Sequence, residues 1–131
     1  MRLLLIIMLG GALGTAARYG VSVWMAERVG EAFPWGTLLV NVLGSFIIGL
    51  FGGLTSSDGI WIVPTWARAF VMIGMLGGFT TFSSFSLQTI QLIQDGQYLP
   101  AGAYVLSSLL LCLMGTAAGV GLAFVPWIRS S

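Results

Sequence analysis

Residues 77–86 read GGFTTFSSFS, and this stretch decides how the third apolar segment of the chain is expected to fold. Its two glycines weaken a helix through backbone entropy, and its five hydroxyl side chains compete with the helix for backbone hydrogen bonds. We therefore predict a break at Gly77–Thr81. Within a membrane, such a break is tolerated only where protein buries it or where it lines a cavity. The freed carbonyl oxygens would suit a small cation.

The charged residues around this stretch delimit long apolar segments. Hydrophobic residues make up 57% of the 131 residues and charged residues 7%, against about 25% charged in soluble proteins. No charged residue lies between Glu31 and Asp58, between Arg68 and Asp95, or between Asp95 and Arg129. Because a span needs about 20 apolar residues, each gap is predicted to hold one transmembrane helix.

The N-terminal segment supplies a fourth span. It begins like a signal peptide, but its apolar residues continue to Trp24, which favours a retained helix. Arg18 lies near one end, where a long side chain can reach the interface. The expected fold is an all-α membrane protein in one domain, with the third helix broken near its middle and every acid in a loop. The four transmembrane helices are predicted at about 3–26, 36–55, 67–94 and 99–126.

Charge and residue usage exclude several functions. The net charge of +1 gives no basic face for nucleic acid. The single cysteine, Cys112, can form neither an internal disulfide nor a metal site alone, and is interpreted as a small apolar filler. The chain has no histidine, and no acid–base pair lies within the spans, so an enzyme is not expected.

The orientation in the membrane is weakly specified. Arg2, Arg68 and Arg129 fall on one side of the predicted topology, and Arg18 and Arg28 on the other. A difference of three against two is a small bias under the positive-inside rule. Insertion in both orientations would permit an antiparallel homodimer, although one orientation could still prevail.

Glycines four residues apart predict close helix packing. They recur in all four segments, which indicates a tight and oligomeric helix bundle. The pairs are Gly10/Gly14, Gly49/Gly53, Gly74/Gly78 and Gly115/Gly119.

Polar residues inside the spans are the candidates for function. Asn41 is costly in an apolar helix unless it is hydrogen-bonded, so it is either a clasp between helices or an NH₂ donor on a polar path. Tyr104, Ser108, Cys112 and Thr116 recur every four residues and share one helix face. A ladder of this kind suggests a track lined by donors.

The phenylalanines of the opening stretch allow two interpretations. Phe79, Phe82 and Phe85 lie at helical spacing, and on spacing alone they are packing residues. An aromatic ring nevertheless has a positive edge, so rings set edge-on beside neutral donors could form an anion site without formal charge. Neutral donors in a narrow path suit a small, strongly hydrated anion.

Three motifs resemble the CrcB/Fluc family of fluoride-specific channels of bacterial membranes over nearly the whole chain. They are GGALGTAARY at 10–19, WGTLLVN at 35–41 and GGFTTFSSFS at 77–86. Three positions depart from the common pattern: Gln88 where many members have glutamate, Ser84 where many have threonine, and Cys112 where serine is frequent.

The resemblance implies an antiparallel, dual-topology homodimer with two pores. It implies a structural sodium ion (Na⁺) at the dimer centre, held by the carbonyl oxygens of Gly77 and Thr80. Arg18 would lie in the vestibule. The residues implied to line the fluoride pore are Asn41, Phe82, Ser84, Phe85, Tyr104, Ser108 and Thr116.

The expected function is passive export of fluoride across the bacterial inner membrane. A cytoplasm-negative potential drives an anion outward by about 2.3 kcal/mol per 100 mV, and the chain has no nucleotide-binding motif. One alternative is a small multidrug-type cation exporter, which needs a carboxylate in the membrane. Another is a non-transporting membrane subunit. The expected partners are fluoride, the lipid bilayer and a second copy of the chain.

Overall fold

Four helical spans run through residues 1–125, the part of the chain that the computed structural model describes. They cover Arg2–Val29, Trp35–Leu54, Thr65–Gln94 and Tyr98–Ala123, and each is long and apolar enough to cross a membrane. The predicted four-helix organisation is therefore confirmed. The predicted end of the last helix at residue 126, and Arg129, lie outside the described residues. The helical elements are α1 (Arg2–Val29), α2 (Trp35–Leu54), α3 (Thr65–Ala69), a π-helical segment (Phe70–Met75), α4 (Leu76–Phe79), α5 (Phe82–Gln94) and α6 (Tyr98–Ala123).

The first span is longer than predicted. Helix α1 continues to Val29 and ends at Gly30, whose φ of 84° lies in the left-handed region that favours glycine. Glu27 therefore lies in the last turn of α1 rather than in a loop, and the expectation that every acid lies in a loop was wrong for this residue.

The third span is broken, but the break lies nearer the C-terminus than predicted. Gly77 and Gly78 are helical in α4, and the extended residues are Thr80 (φ −84°, ψ 157°) and Thr81 (φ −154°, ψ 115°). The predicted break over the whole of Gly77–Thr81 was therefore wrong for the glycines. Gly78 permits a close approach between helices, since a Cβ there would lie 2.5 Å from the carbonyl oxygen of Gly11.

The π-helical segment that precedes the break was not predicted. It packs against α1: a Cβ at Gly10 would lie 2.6 Å from the carbonyl oxygen of Phe70 and 3.1 Å from the Cα of Gly74. Single π turns inside α-helices often occur at functional sites. This one lies between α3 and α4, one helical turn ahead of the break.

The glycine spacing was a correct guide to helix contacts. Helix α1 packs on the π segment and α4, and α2 packs on α6. In the second pair, Gly49 lies against the backbone of Thr116, and Gly119 against the backbone of Phe46. Such contacts bring two helix backbones together without intervening side chains.

One pair of substitutions on α1 tests this packing. Gly14→Ala is expected to destabilise the fold by about 1–3 kcal/mol, as overpacked sites do, because the added methyl would overlap the carbonyl oxygen of Met75. Gly20→Ala on the same helix meets nothing within 4 Å and is expected to be neutral or stabilising by up to about 1 kcal/mol. Thermal unfolding in detergent measures both. Equal midpoints for the two variants would contradict the packing described.

Candidate ion pathway at the break of the third span

A carboxamide from α2 holds the broken backbone in place. The Thr81 N–H donates to Oδ1 of Asn41 at 2.7 Å, and Nδ2 of Asn41 donates to the Thr81 carbonyl oxygen at 3.0 Å. Both backbone groups of Thr81, a buried residue, are thus paired. Asn41 was predicted to be either a clasp between helices or a donor on a polar path, and the structure shows the clasp. Nδ2 keeps a second hydrogen, and its role as a pore donor stays a prediction.

Side chains at the break draw hydrogen-bond donors away from two carbonyl oxygens. In a continuous helix the N–H of Thr81 would donate to Gly77, and that of Ser84 to Thr80. Here the first donates to Asn41 and the second to Oγ1 of Thr81, at 3.2 Å. The break leaves four carbonyl oxygens without their helical donors, those of Gly77, Gly78, Phe79 and Thr80. Two of the four, Gly77 and Thr80, are the ones that the resemblance implies as sodium ligands. Carbonyl oxygens are suitable ligands for a hard cation, so these residues fit such an ion.

Two cavities meet at the break. The outer cavity, of about 830 Å³, is lined by polar and charged residues that include Arg18, Glu31, Ser84, Gln88 and Asp95. The inner cavity, of about 360 Å³, is lined by Asn41, Gly77, Thr80, Phe82, Phe85, Ser108 and Cys112 among others, and no charged residue lines it within the described part of the chain. Thr81 lines both cavities. The clasped backbone therefore stands between a charged cavity and an uncharged one.

The two candidate pore phenylalanines have different surroundings. Phe82 is 74% exposed, whereas Phe85 is 8% exposed. Their ring centroids are 5.4 Å apart, and Phe85 also packs on Tyr104 at 5.1 Å. Phe85 thus belongs to the core of this chain, while Phe82 lies on its surface. Phe79 packs against α2 near Gly44, in keeping with the packing role assigned to it.

The polar residues that share one face of α6 (Tyr104, Ser108, Cys112 and Thr116) fall into two groups. Tyr104 donates its hydroxyl hydrogen to Oε1 of Gln88 at 2.8 Å, and Thr116 donates to the carbonyl oxygen of Ser45 at 3.0 Å. Neither of these residues lines the outer or the inner cavity. Ser108 and Cys112 line the inner cavity, and the buried hydroxyl oxygen of Ser108 has no hydrogen-bond partner. The pore roles of Tyr104, Ser108 and Thr116 stay predictions.

The structure therefore brings some candidates together and sets others apart. Arg18 and Ser84 lie in the outer cavity, and most of the others in the inner one. Thr81, which was not singled out, caps α5 and lines both cavities. A threonine just before a helix is a known N-cap signal, so its capping role could have been found from the sequence. Its pairing with Asn41, 40 residues away, could not.

Four apolar spans and a broken third span define the class: this is a multi-pass membrane protein. The chain belongs to the CrcB/Fluc family, since the family model described as "CrcB-like protein, Camphor Resistance (CrcB)" matches residues 5–120. The resemblance seen in the motifs is thus confirmed.

Curated relatives agree with this assignment. A protein of Opitutus terrae is 56% identical over 126 residues, covering 93% of this chain and 96% of the relative. A protein of Methylocella silvestris is 53% identical over 113 residues, covering 86% of each chain. A protein of Rhodospirillum rubrum is 51% identical over 110 residues, covering 84% of this chain and 85% of the relative. All three are named "Fluoride-specific ion channel FluC".

Proposed function

We propose that this protein is a fluoride-specific ion channel that exports fluoride passively across the bacterial inner membrane. The observation that carries the proposal is the uncharged inner cavity at the break, where aromatic rings adjoin neutral polar groups. Family membership and the name given to the relatives support it.

Neutral donors fit a small anion better than a formal charge does. Fluoride holds its water tightly, and each lost water must be replaced by another donor. Asn41 keeps one N–H free, the Ser108 hydroxyl has no partner, and the rings of Phe82 and Phe85 offer positive edges. A lysine or arginine at this depth would attract any anion, and none lines the inner cavity among the described residues.

A second copy of the chain is part of the proposal. Phe82 lines the inner cavity although three-quarters of its surface is exposed, so this chain does not close the cavity on that side. An antiparallel homodimer would close it with the partner's surface. The carbonyl oxygens of Gly77 and Thr80 from both copies would then coordinate a central sodium ion, which would take the place of the missing helical donors.

The outer cavity would serve as the vestibule. Arg18 of α1 lines it and would attract anions from water, whereas Glu31 and Asp95 line the same cavity with the opposite charge. A mixed charge of this kind raises the local anion concentration only modestly. Selectivity is therefore assigned to the inner cavity.

A flux experiment tests the proposal. Liposomes that contain the purified protein and potassium fluoride should release fluoride to an external electrode when valinomycin lets potassium follow. Release no faster than from protein-free liposomes would refute the channel. Replacing sodium by N-methylglucamine throughout purification and assay should slow the release. Unchanged release in that arm would refute the sodium site and leave the channel in place.

A further inference from the structure

The single thiol of the chain lies at the inner cavity. Cys112 is partly buried on α6 and lines this cavity together with Asn41 and Ser108. The sequence alone suggested a small apolar filler, but the reactivity of a free cysteine, rather than its packing, usually decides its role. A sulfur atom in this place can react with any soft metal species that the cavity admits.

A buried hydroxyl group one turn away indicates that the inner cavity takes up small molecules. Ser108 is 6% exposed, and its Oγ has no hydrogen-bond partner. It lies four residues before Cys112, so the two side chains share one face of α6 and line the same cavity. Because buried hydroxyls are almost always paired, we expect Ser108 to bond to a small molecule inside the cavity. The same space adjoins the thiol of Cys112.

The lining of the cavity determines which thiol-directed species can reach Cys112. Among the described residues no charged side chain lines it, and several apolar ones do, such as Leu109 and Leu113. A bare metal ion would lose its water there without gaining a charged partner, which is costly. A neutral complex of a soft metal avoids this cost, and a cavity of about 360 Å³ has room for a small one.

We propose that Cys112 is a modification site for small, neutral complexes of thiophilic metals, and that its modification blocks the fluoride pathway. The block rests on the proposed function, whereas the site does not. With methylmercury chloride, Sγ of Cys112 displaces chloride from mercury, so that an S–Hg bond forms as the Hg–Cl bond breaks. The thiol proton leaves to water with the chloride ion, and no atom is oxidised or reduced.

The modified side chain obstructs the cavity in two ways. The methylmercury group takes up space between α6 and the break, where Thr80 lines the cavity. It also replaces the S–H of Cys112, a weak hydrogen-bond donor, in a path where donors substitute for the water of the anion. Fluoride passage should therefore fall when Cys112 is modified and recover when the mercury is removed.

Intact-protein mass spectrometry and the liposome assay together test the inference. The parent protein treated with methylmercury chloride is expected to gain the mass of one methylmercury group. Its fluoride efflux should fall by about tenfold or more, as expected of an obstructed path. Excess dithiothreitol, which competes for the mercury, should restore both. Cys112→Ser should gain no mass and keep its own untreated rate, and Cys112→Ala serves as a second variant without a thiol.

Leu110→Cys in the Cys112→Ser background provides a matched control. Leu110 lies on the same helix, is 57% exposed and lines neither cavity. A thiol there should gain the same mass without loss of efflux, each protein being compared with its own untreated rate.

Each contrary result identifies what fails. A parent protein that gained no mass would overturn the site. A modified parent with unchanged efflux, or an equal fall in Cys112→Ser or in the Leu110→Cys control, would overturn the block. A parent that released no fluoride before treatment would refute the proposed function, while its gain in mass would still test the site.

Discussion

Asn41→Leu is expected to abolish fluoride efflux and to destabilise the protein by about 2–4 kcal/mol, since each buried polar group left unpaired costs about 1–3 kcal/mol. Leucine has a similar volume but cannot pair the N–H and the carbonyl oxygen of Thr81, which Asn41 holds at 2.7 and 3.0 Å. With neither backbone group of Thr81 paired, the extended backbone at Thr80 and Thr81 would no longer be held in place. The proposed cation ligands would then be lost together with the clasp.

Asn41→Asp separates the two halves of the clasp. A carboxylate still accepts from the Thr81 N–H but cannot donate to the Thr81 carbonyl oxygen. We expect an unfolding midpoint between those of the parent and Asn41→Leu, with efflux strongly reduced. Thermal unfolding in detergent and liposome efflux measure the two effects. An Asn41→Leu protein that matched the parent in both would show that the break does not depend on α2.

Phe82→Ile is expected to lower fluoride efflux by about tenfold or more, a loss of at least about 1.4 kcal/mol in the free energy of passage, with little change in stability. Its ring is 74% exposed and contributes little to the core of this chain. The positive ring edge is what isoleucine lacks.

Phe85 and Phe79 provide the comparison. Phe85→Ile is expected to reduce efflux and also to lower stability by about 1–3 kcal/mol, because Phe85 is buried against Tyr104. Phe79→Ile should lower stability alone, since Phe79 packs against α2 and lines neither cavity. If Phe82→Ile released fluoride as fast as the parent protein, the phenylalanines would have no role in the pathway.

The span organisation could be predicted from the sequence because charge is so costly in a membrane. A run such as that between Arg68 and Asp95 has few alternatives to a membrane helix. The position of the break was harder to predict, since it depends on the partner helix. Gly78 is a weak helix former by itself, but its contact with Gly11 keeps it helical, and the chain becomes extended only where Asn41 accepts the Thr81 N–H.

The candidate site shows the same limit of local reasoning. Spacing placed Tyr104 and Thr116 on the stripe that also carries Ser108, but their hydroxyls donate to Gln88 and Ser45 on other helices. The spacing of Phe82 and Phe85 likewise implied similar roles, whereas one is exposed and the other buried. Partners distant in sequence decide which side chain faces a cavity, and periodicity within one helix carries no information about them.

The ratio of fluoride to chloride efflux, measured in the same liposomes under the same potential, shows whether the inner cavity selects fluoride. Neutral donors and ring edges around an uncharged cavity should pass fluoride rapidly. We predict fluoride release well above that of protein-free liposomes, and chloride release no faster than theirs. Chloride efflux at a rate comparable to that of fluoride would show that the pathway is not selective for fluoride.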